Sequence, residues 1–140
     1  MKVIFDIDGT IADISKILPL WDTDKELFFS RLGEAKPIEK TIRLFKMFWE
    51  PCYSPSIYTA RPERTRHVTN EWLTREGIYY DVLMMPKDND TRHDKDIKLS
   101  MLQEHGFKPE NTIIFEDRTC VVQHLRQHGY TVCQVDDGNY

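Results

Sequence analysis

The sequence lacks long apolar runs, and no stretch approaches the roughly 18 consecutive apolar residues expected of a membrane-crossing helix. Its first apolar run, Val3-Ile4-Phe5, is broken by Asp6 and Asp8, which excludes it as the core of a signal peptide. No membrane partner is expected, and a cytoplasmic location follows as the default. Cysteine is scarce: Cys52, Cys120 and Cys133 are odd in number, far apart and without a C-x-x-C pair. A disulfide framework or structural zinc site is therefore not expected. The five histidines, His67, His93, His105, His124 and His128, show no H-E-x-x-H spacing, which argues against a histidine metal centre. No G-x-x-x-x-G-K-[ST] segment occurs, excluding a phosphate-loop kinase or ATPase. Positive charge is also short, with 19 Lys+Arg against 23 Asp+Glu and a formal net charge of -4. That balance argues against general, high-affinity binding along nucleic acid, while allowing a local basic patch.

What is present is globular. A chain of 140 residues with 40% hydrophobic and 30% charged residues has the size and composition of one domain with a full core. Short apolar runs recur at 2–5, 56–58, 81–85, 112–115 and 130–135, and helical patterns lie between most of them. Ile38, Ile42, Phe45 and Trp49 follow helical spacing, with Pro37 placed in the first turn. Val68, Trp72 and Leu73 mark a second helix ending at Gly77. Ile97, Met101, Leu102 and His105 mark a third closed by Gly106, and Val121, Val122 and Leu125 a fourth ending before Gly129. Alternation of this kind predicts an α/β three-layer sandwich around a central parallel five-stranded sheet. About 30 residues separate the first strand from the helix near Pro37, too many for a plain loop. They include Trp21, Leu27, Phe28, Phe29 and Leu32, so residues 12–36 are expected to form a short helical cap insertion within a single domain spanning 1–140. Trp21, Trp49 and Trp72 read as core or cap packing rather than base-stacking platforms. Asp136-Asp137-Gly138 reads as a solvated end. No repeat or low-complexity segment occurs.

The chemistry-bearing residues fall at strand ends. Asp6 and Asp8 follow the first apolar run within Phe5-Asp6-Ile7-Asp8-Gly9-Thr10, and a spacing of two puts both on one side of extended chain. Asp8-Gly9 alone would suit a turn, but a carboxylate at the inner end of an apolar strand is costly unless something pairs with it. Open parallel sheets bind ligands beyond the carboxyl ends of their strands. Two further strands end in Thr59-Ala60-Arg61 and Glu116-Asp117-Arg118. Asp6 and Asp117 can jointly hold a hard divalent cation, completed by a main-chain carbonyl and waters, and all-oxygen ligation favours Mg2+. Thr10 can close the turn or touch a ligand.

These residues together resemble the motifs of the haloacid-dehalogenase superfamily of phosphohydrolases, and within it the 3'-phosphatase domain of bacteriophage polynucleotide kinase-phosphatases. Asp6-Ile7-Asp8-Gly9-Thr10 is similar to the D-x-D-G-T signature, Thr59 to the second-motif hydroxyl, and Glu116-Asp117-Arg118 to the acidic fourth motif. Arg92-x-Asp94-x-x-x-Lys98 carries the third-motif lysine at Lys98, with Lys95 as the competing register. The sequence departs from the pattern at Ala60, where glycine is commoner, at Met85-Pro86, where an arginine is replaced by proline, and at Glu116, where many relatives have aspartate. The resemblance implies that Asp6 attacks phosphorus to form an aspartyl-phosphate, and that Asp8 serves as acid and then base. It implies Mg2+ on Asp6, Asp117 and the main-chain carbonyl of Asp8, and Thr59 and Lys98 on the phosphate oxygens. Arg61, Arg92 and Arg118 are candidates for substrate contact or for bracing the acids. The expected substrate is a phosphate-ended nucleic acid contacted at its terminus, with a 3'-phosphate favoured, or a nucleotide. A 5'(3')-deoxyribonucleotidase is the alternative; a phosphotransferase and a silent binding module are lesser ones, told apart by transfer to an acceptor and by absence of turnover. Sequence leaves the oligomeric state open.

Overall fold

Near-continuous burial along the central strands, covered on both faces, sets the architecture. In the computed structural model, which describes residues 1–49 and 54–138, the chain opens with β1 (Lys2–Phe5). A two-residue strand β2 (Ala12–Asp13), short helices α1 (Leu20–Thr23) and α2 (Lys25–Ser30), a single 3-10 turn at Leu32–Glu34, and β3 (Lys36–Pro37) follow. Then come α3 (Glu39–Met47), β4 (Ser56–Tyr58), α4 (Arg66–Arg75), β5 (Leu83–Met84), α5 (Asp94–Glu104), β6 (Thr112–Arg118), α6 (Thr119–Gln127) and β7 (Thr131–Gly138).

Five strands form one parallel sheet in the order β5-β4-β1-β6-β7. Side chains on successive strand residues point to opposite faces, and the core divides accordingly. Val3 and Phe5, Ile57 and Phe115 join Ile42 and Phe45 of α3 and Trp72 and Leu73 of α4. Ile4, Tyr58 and Ile114 join Ile97, Met101 and Leu102 of α5 and Val121, Val122 and Leu125 of α6 on the other face. Three layers result, as the apolar runs predict.

Residues 12–37 form the cap. β2 and β3 pair antiparallel, and Phe28 and Leu32 bury into the first core cluster beside Ile14 and Ile17. Trp72 fixes its return: the ring is fully buried, and its indole N–H donates to the Ala35 carbonyl at 2.8 Å. Burying a large aromatic with its polar atom satisfied contributes on the order of 2–3 kcal/mol.

Several readings of element ends differ. Pro37 lies in β3, opposite Ala12, because the helix starts only at Glu39. Trp49 falls beyond the helix end at Met47 and is exposed. The third sheet strand shortens to Leu83–Met84, whereas β6 runs on through Arg118 and β7 to Gly138. Gly138 is buried, while Asp136 and Asp137 are solvated. No helix among the described residues is long and apolar enough to cross a membrane.

Candidate active site

The sheet order places β1 between β4 and β6, so the polar ends of these three strands converge. Parallel pairing carries Asp6 past the last apolar residue of β1, and its N–H donates to the Phe115 carbonyl at 3.0 Å. A tight turn follows, in which the Ile7 carbonyl accepts from the N–H groups of Thr10, Ile11 and Ala12. Gly9 has φ of 83° there, the left-handed region that glycine enters without Cβ strain. The turn sets Asp8 beside Asp6.

Lys98 enters from α5 and is 3% exposed. Its Nζ lies 2.8 Å from Oε2 of Glu116, 3.1 Å from Oδ1 of Asp6 and 3.9 Å from Oδ2 of Asp94. Burial disfavours the ammonium charge, but Asp6, Glu116 and Asp94 outweigh it and hold its pKa well above the ordinary lysine value. Asp6 is displaced upward too: burial comes first, then the negative charge of Glu116, with Asp117 and Asp8 adding and Lys98 opposing. Oxygens of Asp6, Glu116 and Asp117 lie within 4.8 Å of one another, a buried acidic cluster capable of coordinating a divalent metal.

The three acids are not equivalent. Glu116 is fully buried, and its Oε2 accepts from the Tyr58 hydroxyl at 2.7 Å as well as from Lys98. Its Oε1 accepts from the main-chain N–H groups of Asp117 and Arg118 at 3.2 and 3.1 Å. Burial and the adjacent Glu116 push the Tyr58 pKa well up, so the phenol keeps its proton and remains a donor. Glu116 thus anchors Lys98. Asp117 lies opposite, its Oδ1 accepting from the Thr10 hydroxyl at 3.1 Å.

The sequence model for the polynucleotide kinase PNKP phosphatase domain matches residues 1–140. The chain belongs to this family. It is a haloacid-dehalogenase-type phosphatase. Among solved structures, a Pnkp1/Rnl/Hen1 complex superposes with a TM-score of 0.82 and 24% identity over 99% of this chain and 47% of the other. The Pnkp1/Rnl/Hen1 RNA repair complex gives 0.84 and 24% identity over 99% and 43%. The chain therefore spans less than half of those proteins. A haloacid dehalogenase-like hydrolase from Streptococcus pneumoniae gives 0.68, with 18% identity over 95% and 83%. At these identities the superpositions establish the fold. Among curated proteins, none matches the sequence.

Within this family member, the structure draws Asp6, Asp8, Thr59, Lys98, Thr10, Arg61, Asp117 and Arg118 around the converging strand ends. Lys98 rather than Lys95 joins the acids. Arg61 is 2% exposed and grips Asp8 with two bonds, Nε to Oδ2 at 2.9 Å and Nη2 to Oδ1 at 2.6 Å, while Nη1 donates to Thr69 at 3.1 Å. It therefore positions Asp8. Thr59 is buried and its hydroxyl accepts from the Arg61 N–H at 3.2 Å. Arg118 donates to Asp94 at 2.8 Å. Arg92 stands apart: its guanidinium doubles onto Asp90 and reaches Ser100. Sequence reasoning did not single out Tyr58 and Thr69, and nothing in their local pattern distinguishes them from core residues. Glu116 was legible only as part of an acidic motif.

Proposed function

We propose that this phosphatase hydrolyses a phosphomonoester at the end of a nucleic acid, with a 3'-phosphate favoured, using Mg2+ and an aspartyl-phosphate on Asp6. One observation carries the metal-dependent reading. Three buried acids from two adjacent strands, Asp6, Glu116 and Asp117, bring carboxylate oxygens within 4.8 Å of one another, an arrangement that a divalent cation suits. Because Glu116 is committed to four donors, Asp6 and Asp117 are the side chains assigned to the ion, and their oxygen donors suit a hard one. Bound there, Mg2+ would supply Lewis-acid neutralisation of the phosphate oxygens.

The protein's own groups divide the remaining work. Asp6, held 3.1 Å from Lys98, attacks phosphorus as a carboxylate, and the leaving oxygen departs with a proton delivered by Asp8. Asp8 then takes a proton from the water that hydrolyses the acyl-phosphate. Arg61 holds the Asp8 carboxylate in one orientation between these steps. Lys98 and Thr59 are assigned to the phosphoryl oxygens, where transition-state charge accumulates.

Removal of the metal should abolish turnover, and Mg2+ should restore it where Zn2+ restores it poorly; full activity of demonstrably metal-free protein would rule the assignment out. A second expectation concerns stability. Because the folded-state pKa of Asp6 is raised, its contribution to stability is present at low pH and lost as pH rises above about 4 through the raised value. Metal-free protein therefore loses that contribution towards neutral pH, and the ion offsets the loss only when Asp6 is ionised. The increase in Tm on adding Mg2+ should be larger at pH 7.5 than at pH 5. Equal increments at the two pH values would contradict a metal held by Asp6.

The substrate reading draws on the matched family and on the similar Pnkp1/Rnl/Hen1 structures, one of which is described as an RNA repair complex. The three candidate arginines each pair with an acid of this protein, and the net charge is -4, so contact confined to the terminal nucleotide fits better than a grip along the strand. The test is kcat/KM for a short oligonucleotide ending in 3'-phosphate, its 5'-phosphate counterpart, and free 3'- and 5'-mononucleotides. The first should lead. A clear preference for 5'-mononucleotides would establish the nucleotidase reading instead, and failure on all four would remove nucleotides while leaving the phosphatase chemistry standing.

A further inference from the structure

We propose that the tip of β7, through Gly138 and Gln134, positions the Asp117 carboxylate for the metal; this rests on the assignment of Asp117 as a ligand. The strand register carries the first part of the case. Glu116 pairs with Gln134 and Arg118 with Gly138, so three β7 residues, Val135, Asp136 and Asp137, stand opposite the single residue Asp117. They are exposed, whereas Gly138 is buried. The strand arches outward past Asp117 and returns to the sheet beyond it, the kind of bulge that re-aims a side chain next to a site.

Both feet of the arch touch Asp117. Gln134 Nε2 donates to the Asp117 carbonyl at 3.0 Å and to the Thr119 hydroxyl at 3.0 Å, which fixes the backbone from which the carboxylate projects. At the other foot, a Cβ on residue 138 would fall 2.4 Å from Oδ2 of Asp117, 2.8 Å from its carbonyl carbon and 2.9 Å from the Arg118 Cα. All three separations are well inside the roughly 3.5–4.0 Å of favourable contact. Two of the three are to backbone, so no flexible side-chain end can absorb the overlap. Gly138 does not have positive φ, so its backbone does not require glycine. The space beside the carboxylate does. Thr10 holds Oδ1 from the β1 side, and the bare glycine lets Oδ2 lie against the β7 tip. Asp117 is thereby held from both neighbouring strands, and groups that orient a ligand typically govern about 10–100-fold in metal affinity.

The experiment measures Mn2+ binding directly, by the loss of free-ion signal in electron paramagnetic resonance, on the full chain without substrate. Gly138→Ala should weaken the Kd about tenfold or more, and Gln134→Ala should weaken it by a smaller factor, about threefold or more. Cys133→Ala, an exposed change on the same strand, should leave the Kd unchanged. A parent-like Kd in folded Gly138→Ala would overturn the proposal, as would an equal loss in Cys133→Ala, which would mark the effect as general loosening of β7. Should Gly138→Ala not fold, Gln134→Ala decides by the same criterion. Asp117→Asn separates the two levels of inference: unaltered Mn2+ binding in that variant would refute the metal assignment itself, and positioning with it.

Discussion

Asp6→Asn is expected to lose turnover by on the order of 10^4-fold or more while its metal-free form melts at or above the parent's temperature at neutral pH. The two halves have one cause. Asp6 is 3% exposed, and its ionised form is disfavoured by burial and by Glu116, Asp117 and Asp8, with Lys98 alone among the named neighbours opposing them. An amide keeps the shape and ends that repulsion, but it offers no anionic oxygen to phosphorus and is a poor ligand for a hard ion. Active sites characteristically hold such unfavourable charges because the chemistry needs them. The increment in Tm produced by Mg2+ should therefore shrink in the variant. Steady-state phosphate release from folded Asp6→Asn within tenfold of the parent would exclude Asp6 as the nucleophile. A metal-free variant markedly less stable than the parent would show instead that the Asp6–Lys98 contact outweighs the repulsion.

Most of this frame was legible in the sequence because it follows from local pattern. Apolar runs of strand length separated by helical periodicity specify the parallel sheet, and a sheet of that kind gathers its strand ends at one edge. Asp6, Thr59 and Asp117 stand out in the sequence alone, since polar residues that close apolar strand runs need a reason. The residues that sequence left obscure owe their roles to contacts far apart in the chain. Tyr58 looks like any core aromatic until β4 lies beside β1 and its hydroxyl meets Glu116, 58 positions away. Arg61 read equally as a substrate contact or a brace, and only the approach of β4 to the Asp8 turn sets its two bonds. Arg92 has Asp90 two residues before it, a local partner that motif matching does not weigh. Gly138 looked like part of a solvated end because a vacant Cβ position has meaning only once Asp117 lies against it. Residue types at strand ends mark most of the candidate site, whereas the supports of those residues are encoded in tertiary packing.

Lys98 offers the sharpest separation of support from chemistry. Lys98→Met should destabilise the protein by about 3–5 kcal/mol, because removing one member of a buried ionic cluster leaves its partners uncompensated. Here the partners are Asp6, Glu116 and Asp94, and Glu116 is the most enclosed of the three. Turnover should fall by about 10^2–10^3-fold, the scale of losing one donor to developing transition-state charge. The single variant alone would not distinguish a lysine that stabilises phosphoryl oxygens from one that only offsets Glu116. Adding Glu116→Gln makes the distinction. The Gln carbonyl can accept from the N–H groups of Asp117 and Arg118, and its NH2 can donate to the Tyr58 hydroxyl, so the buried site keeps its hydrogen bonds without the charge. Lys98→Met/Glu116→Gln should therefore recover much of the stability lost by Lys98→Met, measured by urea midpoint, while its kcat stays at the level of the single variant. Recovery of kcat along with stability would assign Lys98 to holding the acids apart and leave the phosphoryl oxygens to Thr59 and the metal.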